Sequence, residues 1–151
     1  DRDNNMKIIL NKLMLICALA LIFTTSVNAE NMKEMDDINV HYIALGSTFL
    51  TPEIAKAYGI ERSRYKGLVN IAVLDNTQDG NPAKTVNING RARNDIGQIK
   101  SLDFMEVKEG DAVYYLAQVS YSNEETIYFD IMITDKGKQH NLTFSQKFYV
   151  D

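Results

Sequence analysis

The chain has 151 residues, 45% of them hydrophobic, with 20 acidic and 16 basic residues and a formal net charge of −4. A chain of this length can build about one domain with its own core, and its acidic balance lacks the dense positive charge that nucleic-acid binding needs. The single cysteine, Cys17, lies in the apolar N-terminal run described next, so the folded domain is expected to contain neither disulfides nor thiolate chemistry.

The N-terminal residues follow the pattern of a secretory signal. Two lysines precede an uninterrupted apolar run at 13–23, and small residues up to Ala29 suit a signal peptidase. The run is shorter than the ~20 residues of a comfortable membrane span. Residues 1–5 precede the first plausible start methionine and are set aside as upstream residues. Residues 6–29 are predicted to be a cleaved signal peptide, which leaves no membrane span in the mature chain.

The remaining chain is predicted to be a flexible, acidic lead-in at 30–37 and a single domain at 38–151. The segment Ile38–Leu45 is rich in β-branched and aromatic residues and is predicted to be the first strand. Apolar residues then recur at every second position in six further segments, which are predicted to be strands at 68–75, 84–94, 98–108, 113–121, 127–134 and 142–150.

Regularly spaced strands with tight turns between the later ones predict an all-β, mainly antiparallel fold. An immunoglobulin-like β-sandwich of about seven strands is the first choice, and a closed barrel is the alternative. A parallel α/β arrangement would need crossover helices that the sequence does not supply.

One short helix interrupts the β pattern after the first strand. Thr51 is a good N-cap, Pro52 suits the first helical position, and Gly59 is a typical left-handed end. A helix this short needs a packing partner. We expect it to close one open end of the sandwich, with its apolar side chains buried there, namely Phe49, Leu50, Ile54 and Tyr58.

Positive charge is concentrated in two places, and it gives the best indication of a site. Arg62 and Arg64 follow the helix, and Arg91 and Arg93 share one face of a predicted strand. Arginines on a rigid strand suit the capture of carboxylates or phosphates. The alternative is that alternating Arg and Asn residues form an ordinary water-facing strand that protects a sheet edge.

The candidate binding surface lies at the rim around the helix, because loops at the ends of a β scaffold often carry function. It comprises Ser47, Thr48, Arg62, Arg64, Arg91 and Arg93. Ser47 and Thr48 follow a glycine but lack the spacing of a nucleophile elbow, so no catalytic residue is predicted.

The two histidines, His41 and His140, support a competing hypothesis. They lie in the first and last predicted strands, which could be neighbours. With nearby acids they could serve a hydrolase or a metal-dependent enzyme, although two histidines without cysteine make a poor zinc set. We therefore expect no metal and no cofactor.

Several segments resemble a family of small secreted proteobacterial proteins, the domain-of-unknown-function family 4426. The resemblance covers nearly all of the mature chain and is carried by His41-Tyr42, Ser47-Thr48-Phe49-Leu50, Pro52-Glu53, Arg62-Ser63, Gly67, Asn70-Ile71-Ala72-Val73 and Tyr114-Tyr115-Leu116-Ala117-Gln118. It implies a periplasmic location in Gram-negative bacteria and supplies no catalytic residues. The resulting hypothesis is a non-enzymatic binding or accessory module for an envelope protein or a small anionic ligand.

Overall fold

The structure is a computed structural model that describes residue 7 and residues 31–150. The predicted upstream residues and signal peptide, at 1–5 and 6–29, thus lie outside the described residues except for Lys7. The described residues form nine strands: β1 (Asn31–Met35), β2 (Ile38–Gly46), β3 (Lys66–Asp75), β4 (Asn87–Arg93), β5 (Ile99–Leu102), β6 (Met105–Glu109), β7 (Ala112–Ser120), β8 (Glu125–Asp135) and β9 (Lys138–Phe148). A 3-10 turn (Ser47–Phe49) and helix α1 (Pro52–Tyr58) lie between β2 and β3.

The strands form two antiparallel sheets that pack face to face. The five-stranded sheet has the order β1-β2-β3-β7-β6, and the four-stranded sheet has the order β5-β4-β8-β9. Strands β2-β3-β7-β6 facing β4-β8-β9 reproduce the ABED and CFG arrangement of an immunoglobulin domain. The predicted all-β sandwich is therefore confirmed, and the closed barrel is wrong.

The core lies between the sheets and follows from alternation along each strand. In β3, Val69, Ile71 and Val73 are fully buried, and they face the fully buried Ile131 and Ile133 of β8 in the same cluster. Because successive side chains point to opposite faces of a strand, the residues between them lie on the outer faces. Among the described residues, no helix combines the length and apolar character needed to cross a bilayer.

Two expectations about the strands differ from the structure. Residues 31–35, expected to be flexible, form β1, which pairs along its length with residues 38–42 of β2. The single strand expected at 98–108 is two strands, β5 and β6, and they belong to different sheets. Asp103 and Phe104 make the crossing, and Phe104 packs against the core.

Helix α1 begins and ends as its sequence indicates. The Thr51 hydroxyl accepts a hydrogen bond from the Ile54 amide at 3.3 Å, and Gly59 adopts the left-handed conformation with φ of 67°. The expected position of the helix is wrong, however. It covers the outer face of the five-stranded sheet, where Ala55 packs against Leu68 and Leu116.

The residues expected to close the end of the sandwich are therefore mostly not buried. Phe49 is 74% exposed and Ile54 is 44% exposed, while Leu50 and Tyr58 are partly buried in the cluster beneath the helix. The physical reason lies in the sheet: Leu68 and Leu116 place apolar side chains on its outer face, and the helix buries them.

Candidate functional site

Arg91 and Arg93 lie on the outer face of the four-stranded sheet, because Ala92 between them points into the core. The sheet places Asp130 beside Arg91 and Tyr128 beside Arg93 on β8. These residues line a depression of about 490 Å³. Two strands thus bring together side chains that lie far apart in the sequence.

Strand β9 supplies the next side chains across this face. Thr143 pairs with Asp130, and Ser145 pairs with Tyr128. On the other side of the depression, Ile99 of β5 pairs with Arg93 and is 61% exposed. The walls therefore combine two guanidinium groups, two hydroxyl groups, one carboxylate and an apolar surface. We call this depression the β4–β8 pocket.

One lining residue of the β4–β8 pocket, Tyr128, is an aromatic ring held in place. The Arg93 guanidinium carbon lies 4.4 Å from the centre of the Tyr128 ring, as in a cation–π contact. The Tyr128 hydroxyl donates a hydrogen bond to Asp95 Oδ1 at 2.8 Å. That bond to a carboxylate raises the pKa of Tyr128, so the phenol stays neutral at physiological pH.

Charge in the β4–β8 pocket is only partly satisfied by the protein. The Asn141 side-chain amide donates to Asp130 Oδ1 at 2.8 Å. Within the described part of the chain, neither Arg91 nor Arg93 forms an ion pair with a carboxylate. Their planar donors are therefore able to bind an anionic group that enters the pocket.

Ser47 and Arg62 have internal roles. The buried Ser47 hydroxyl donates to the Ser63 carbonyl and accepts from the Ser63 amide, both at 2.9 Å. Arg62 Nε donates to the Leu50 carbonyl at 2.8 Å, and Arg62 Nη2 donates to the Thr48 carbonyl at 3.3 Å. Both residues thus hold the loop before helix α1 in place.

Arg64 and Thr48 line a second depression of about 470 Å³, at one end of the sandwich. It also contains Phe49, Lys147 and Tyr149. None of the arginines of the β4–β8 pocket lines it. The six predicted site residues therefore fall into three groups: two that hold a loop, two at this end pocket, and two in the β4–β8 pocket.

The two histidines do not come together. His41 lies on the outer face of the five-stranded sheet, since Val40 on β2 points into the core. His140 on β9 is 8% exposed and points inward, with Nδ1 at 3.8 Å from Asp36 Oδ2. The two histidines lie on opposite sides of the five-stranded sheet, so the hypothesis of a site shared by them is wrong. Within residues 31–150, no group of three or more His, Cys, Asp or Glu residues is arranged to hold a metal ion.

Comparison with known families identifies the chain's relatives. Residues 32–151 match the model of a family described as a domain of unknown function, DUF4426. The chain belongs to the DUF4426 family. A crystal structure of a DUF4426 protein from Pseudomonas aeruginosa is 30% identical, with a TM-score of 0.72 over 83% of this chain and 99% of that one. The resemblance seen in the sequence is confirmed.

More distant similarity reaches FetP of uropathogenic Escherichia coli. A copper-bound variant is 13% identical, with a TM-score of 0.54 over 81% of this chain and 91% of that one. FetP as isolated after expression in the periplasm is 14% identical, with a TM-score of 0.54 over 80% and 94%. At this identity the likeness concerns the fold alone. No curated protein is significantly similar to the chain.

Sequence reasoning about this DUF4426 protein missed the partners of Arg91 and Arg93. Alternation along β8 was sufficient to put Tyr128 and Asp130 on a common outer face. It could not show that β8 is the neighbour of β4, because residues 94–124 separate the two strands and contribute three others. Only strand order decides which side chains meet.

Proposed function

We propose that this DUF4426 protein is a non-enzymatic binding module that acts in the periplasm and holds a small anionic ligand in the β4–β8 pocket. The observation that carries the proposal is the pair Arg91 and Arg93, which line one depression beside the Tyr128 ring and form no ion pair with a described carboxylate. The predicted export signal supports the location.

The chemistry of the pocket favours a ligand with a flat apolar body and one anionic head. Two guanidinium groups suit a carboxylate or phosphate oxygen pair. The Tyr128 ring and the exposed Ile99 side chain offer apolar contact to the rest of such a ligand. The Asp130 carboxylate beside Arg91 adds a negative charge to the pocket. It repels further anionic groups and so disfavours ligands with several dispersed negative charges.

Calorimetric titration of the purified protein with 4-hydroxybenzoate, phenyl phosphate, inorganic phosphate and citrate tests the proposal. We expect the two aromatic anions to bind more tightly than phosphate or citrate. Arg93→Ala and Arg91→Ala should each weaken binding by about tenfold or more, since a charge-assisted hydrogen bond is worth about 1.5–3 kcal/mol. Arg93→Lys should also weaken it, because an ammonium group cannot form a paired contact.

Arg64→Ala is the matched control, since Arg64 is an exposed arginine in the other pocket. It should leave the dissociation constant within about twofold. The proposal fails if none of the four anions binds at millimolar concentration, or if Arg64→Ala weakens binding as much as Arg93→Ala does.

A further inference from the structure

A second surface lies along the free edge of β9. Among the strands of residues 31–150, β9 is the last strand of its sheet, and it packs over β2 of the other sheet. The five-stranded sheet continues past that point with β1. The inward face of β1, with Asn31 and Lys33 opposite Tyr42 and Val40, remains exposed. The sandwich therefore has room for one more strand beside β9 and above β1.

The backbone groups that would pair with such a strand can be assigned from the hairpin. Lys136 and Gly137, with φ of 49° and 81°, form a tight two-residue turn closed by Asp135 and Lys138. The closing residues bond to each other, and bonded pairs alternate with non-bonded pairs along an antiparallel ladder. The N–H and C=O groups that point to the free edge therefore belong to Gln139, Asn141, Thr143, Ser145 and Lys147.

One local contact agrees with this assignment. The Gln146 side-chain amide donates to the Lys147 carbonyl at 2.9 Å, so this carbonyl has a side-chain partner in place of a strand. The edge contains no proline, and lysines occur only near its two ends, at Lys138 and Lys147. Prolines and charged side chains along an edge strand keep it from pairing with other chains, and β9 has only these two lysines at its ends for that purpose.

Two depressions lie beside this edge and share Ala44 and Gln146. We call the combined surface the β9 edge groove; its lining includes Ala44, Phe49, Arg64, Gln146, Lys147 and Tyr149. At one end, Phe49 is 74% exposed and Tyr149 is 54% exposed. Large aromatic side chains at that exposure are typical of contact surfaces.

The charge of the β9 edge groove has one sign. Arg64 and Lys147 line it, and Lys33 lies on the adjoining face of β1. Within residues 31–150, none of these three forms an ion pair, and no acidic side chain lines either depression. At the turn end of β9, Asp36 is paired with Lys138 at 2.9 Å.

We propose that the β9 edge groove binds an extended, acidic segment of a partner protein, which adds a strand to β9. Main-chain hydrogen bonds to the edge supply affinity, and the positions of alternate side chains supply specificity. Acidic side chains of the segment meet Arg64, Lys147 and Lys33, and one apolar side chain packs between Phe49 and Tyr149. The groove and the β4–β8 pocket adjoin at Ser145, whose side chain lines the pocket and whose backbone groups face the free edge, and neither proposal requires the other.

Selection from a displayed library of random twelve-residue peptides, with the full chain as bait, is the first test. We expect the enriched peptides to be acidic, with apolar residues at alternating positions. Amide hydrogen exchange of the complex then locates the contact. The amides of Thr143, Ser145 and Lys147 should become protected, because they gain strand partners only in the complex.

Variants of the edge separate strand addition from simple charge attraction. Ser145→Pro removes one outward N–H without touching the bonds to β8, and it should weaken binding of a selected peptide by about tenfold. Ser145→Ala keeps the N–H and should change binding by less than about twofold. Arg64→Glu with Lys147→Glu should weaken binding by about tenfold or more.

Lys108→Glu makes half of that charge change on β6, the edge strand at the other side of the five-stranded sheet, and should have no effect on peptide affinity. Arg93→Ala should also leave peptide affinity unchanged, which distinguishes this surface from the β4–β8 pocket. The proposal is overturned if no peptide is enriched, if enriched peptides show no excess of acid, or if protection appears elsewhere. Protection of the same amides without peptide, increasing with protein concentration, would assign the edge to a second copy and overturn it too.

Discussion

Replacement of Ser47 by alanine tests whether this residue is structural or part of a binding site. Ser47 is fully buried, and its hydroxyl makes both a donated and an accepted hydrogen bond, at 2.9 Å each, to the backbone of Ser63. Alanine removes both bonds and leaves the Ser63 N–H and C=O groups without these partners. Ser63 is half-buried, so water reaches its backbone groups only in part.

The magnitude follows from the two groups that lose a partner. The Ser63 N–H becomes unsatisfied, which costs about 1–3 kcal/mol, and the partial access of water to Ser63 favours the lower half of that range. The Ser63 carbonyl still accepts from the Lys66 amide at 3.2 Å and loses only one of two bonds, worth about 0.5–1.5 kcal/mol. We therefore expect Ser47→Ala to lower the free energy of unfolding by about 2–3 kcal/mol. With a urea m-value of about 1.5–2 kcal/mol/M for a domain of this size, the unfolding midpoint should fall by about 1–2 M.

Urea denaturation monitored by circular dichroism measures this shift, and two neighbours serve as controls. Thr48→Ala alters an exposed side chain and keeps the Thr48 carbonyl that accepts from Arg62, so stability should change by less than about 0.5 kcal/mol. Ser63→Ala removes only the hydroxyl that accepts from the Tyr65 amide and should cost about 0.5–1 kcal/mol. A Ser47→Ala variant as stable as the wild type, but unable to bind the aromatic anions, would refute the structural role.

Two further predictions concern the core and the pH dependence of stability. Phe129→Ala should lower the free energy of unfolding by about 3–5 kcal/mol, because this 2% exposed ring stacks on Phe144 with ring centres 4.8 Å apart. Ile99→Ala, at an exposed position, should lower it by less than about 0.5 kcal/mol. Equal effects of the two variants in urea denaturation would contradict the packing argument. Hydrogen bonds from Thr77 and Gln78 lower the pKa of Asp75 from 3.8 to about 2, so its contribution is present above about pH 4 and is lost as pH falls towards 2. The stability difference between wild type and Asp75→Asn should therefore disappear over that interval, and a difference that persists at pH 2 would contradict this origin.

Much of the fold could be predicted because the signals are local. A strand with one buried face has an apolar side chain at every second residue. Val69, Ile71 and Val73 could therefore be assigned to the core before their neighbours were known. The bounds of helix α1 were equally local, since a cap such as Thr51 acts within its own turn.

The errors arose where a signal depends on distant partners. Strand β1 has few apolar residues, and its order comes from pairing with β2 rather than from its own propensity. The position of helix α1 depends on Leu68 and Leu116, two residues on separate strands whose shared outer face is visible only once the sheet order is known.

The sequence by itself determined the class of this protein: a β-sandwich with one capped helix, in a family that its own segments indicate. Tertiary structure alone decided which polar side chains meet. It engaged Ser47 and Arg62 in internal bonds, placed Arg91 and Arg93 beside Tyr128, and left the edge of β9 without a strand partner among residues 31–150. The physical reason is range: alternation and capping act over a few residues, whereas a binding surface is assembled from strands that only sheet pairing brings side by side.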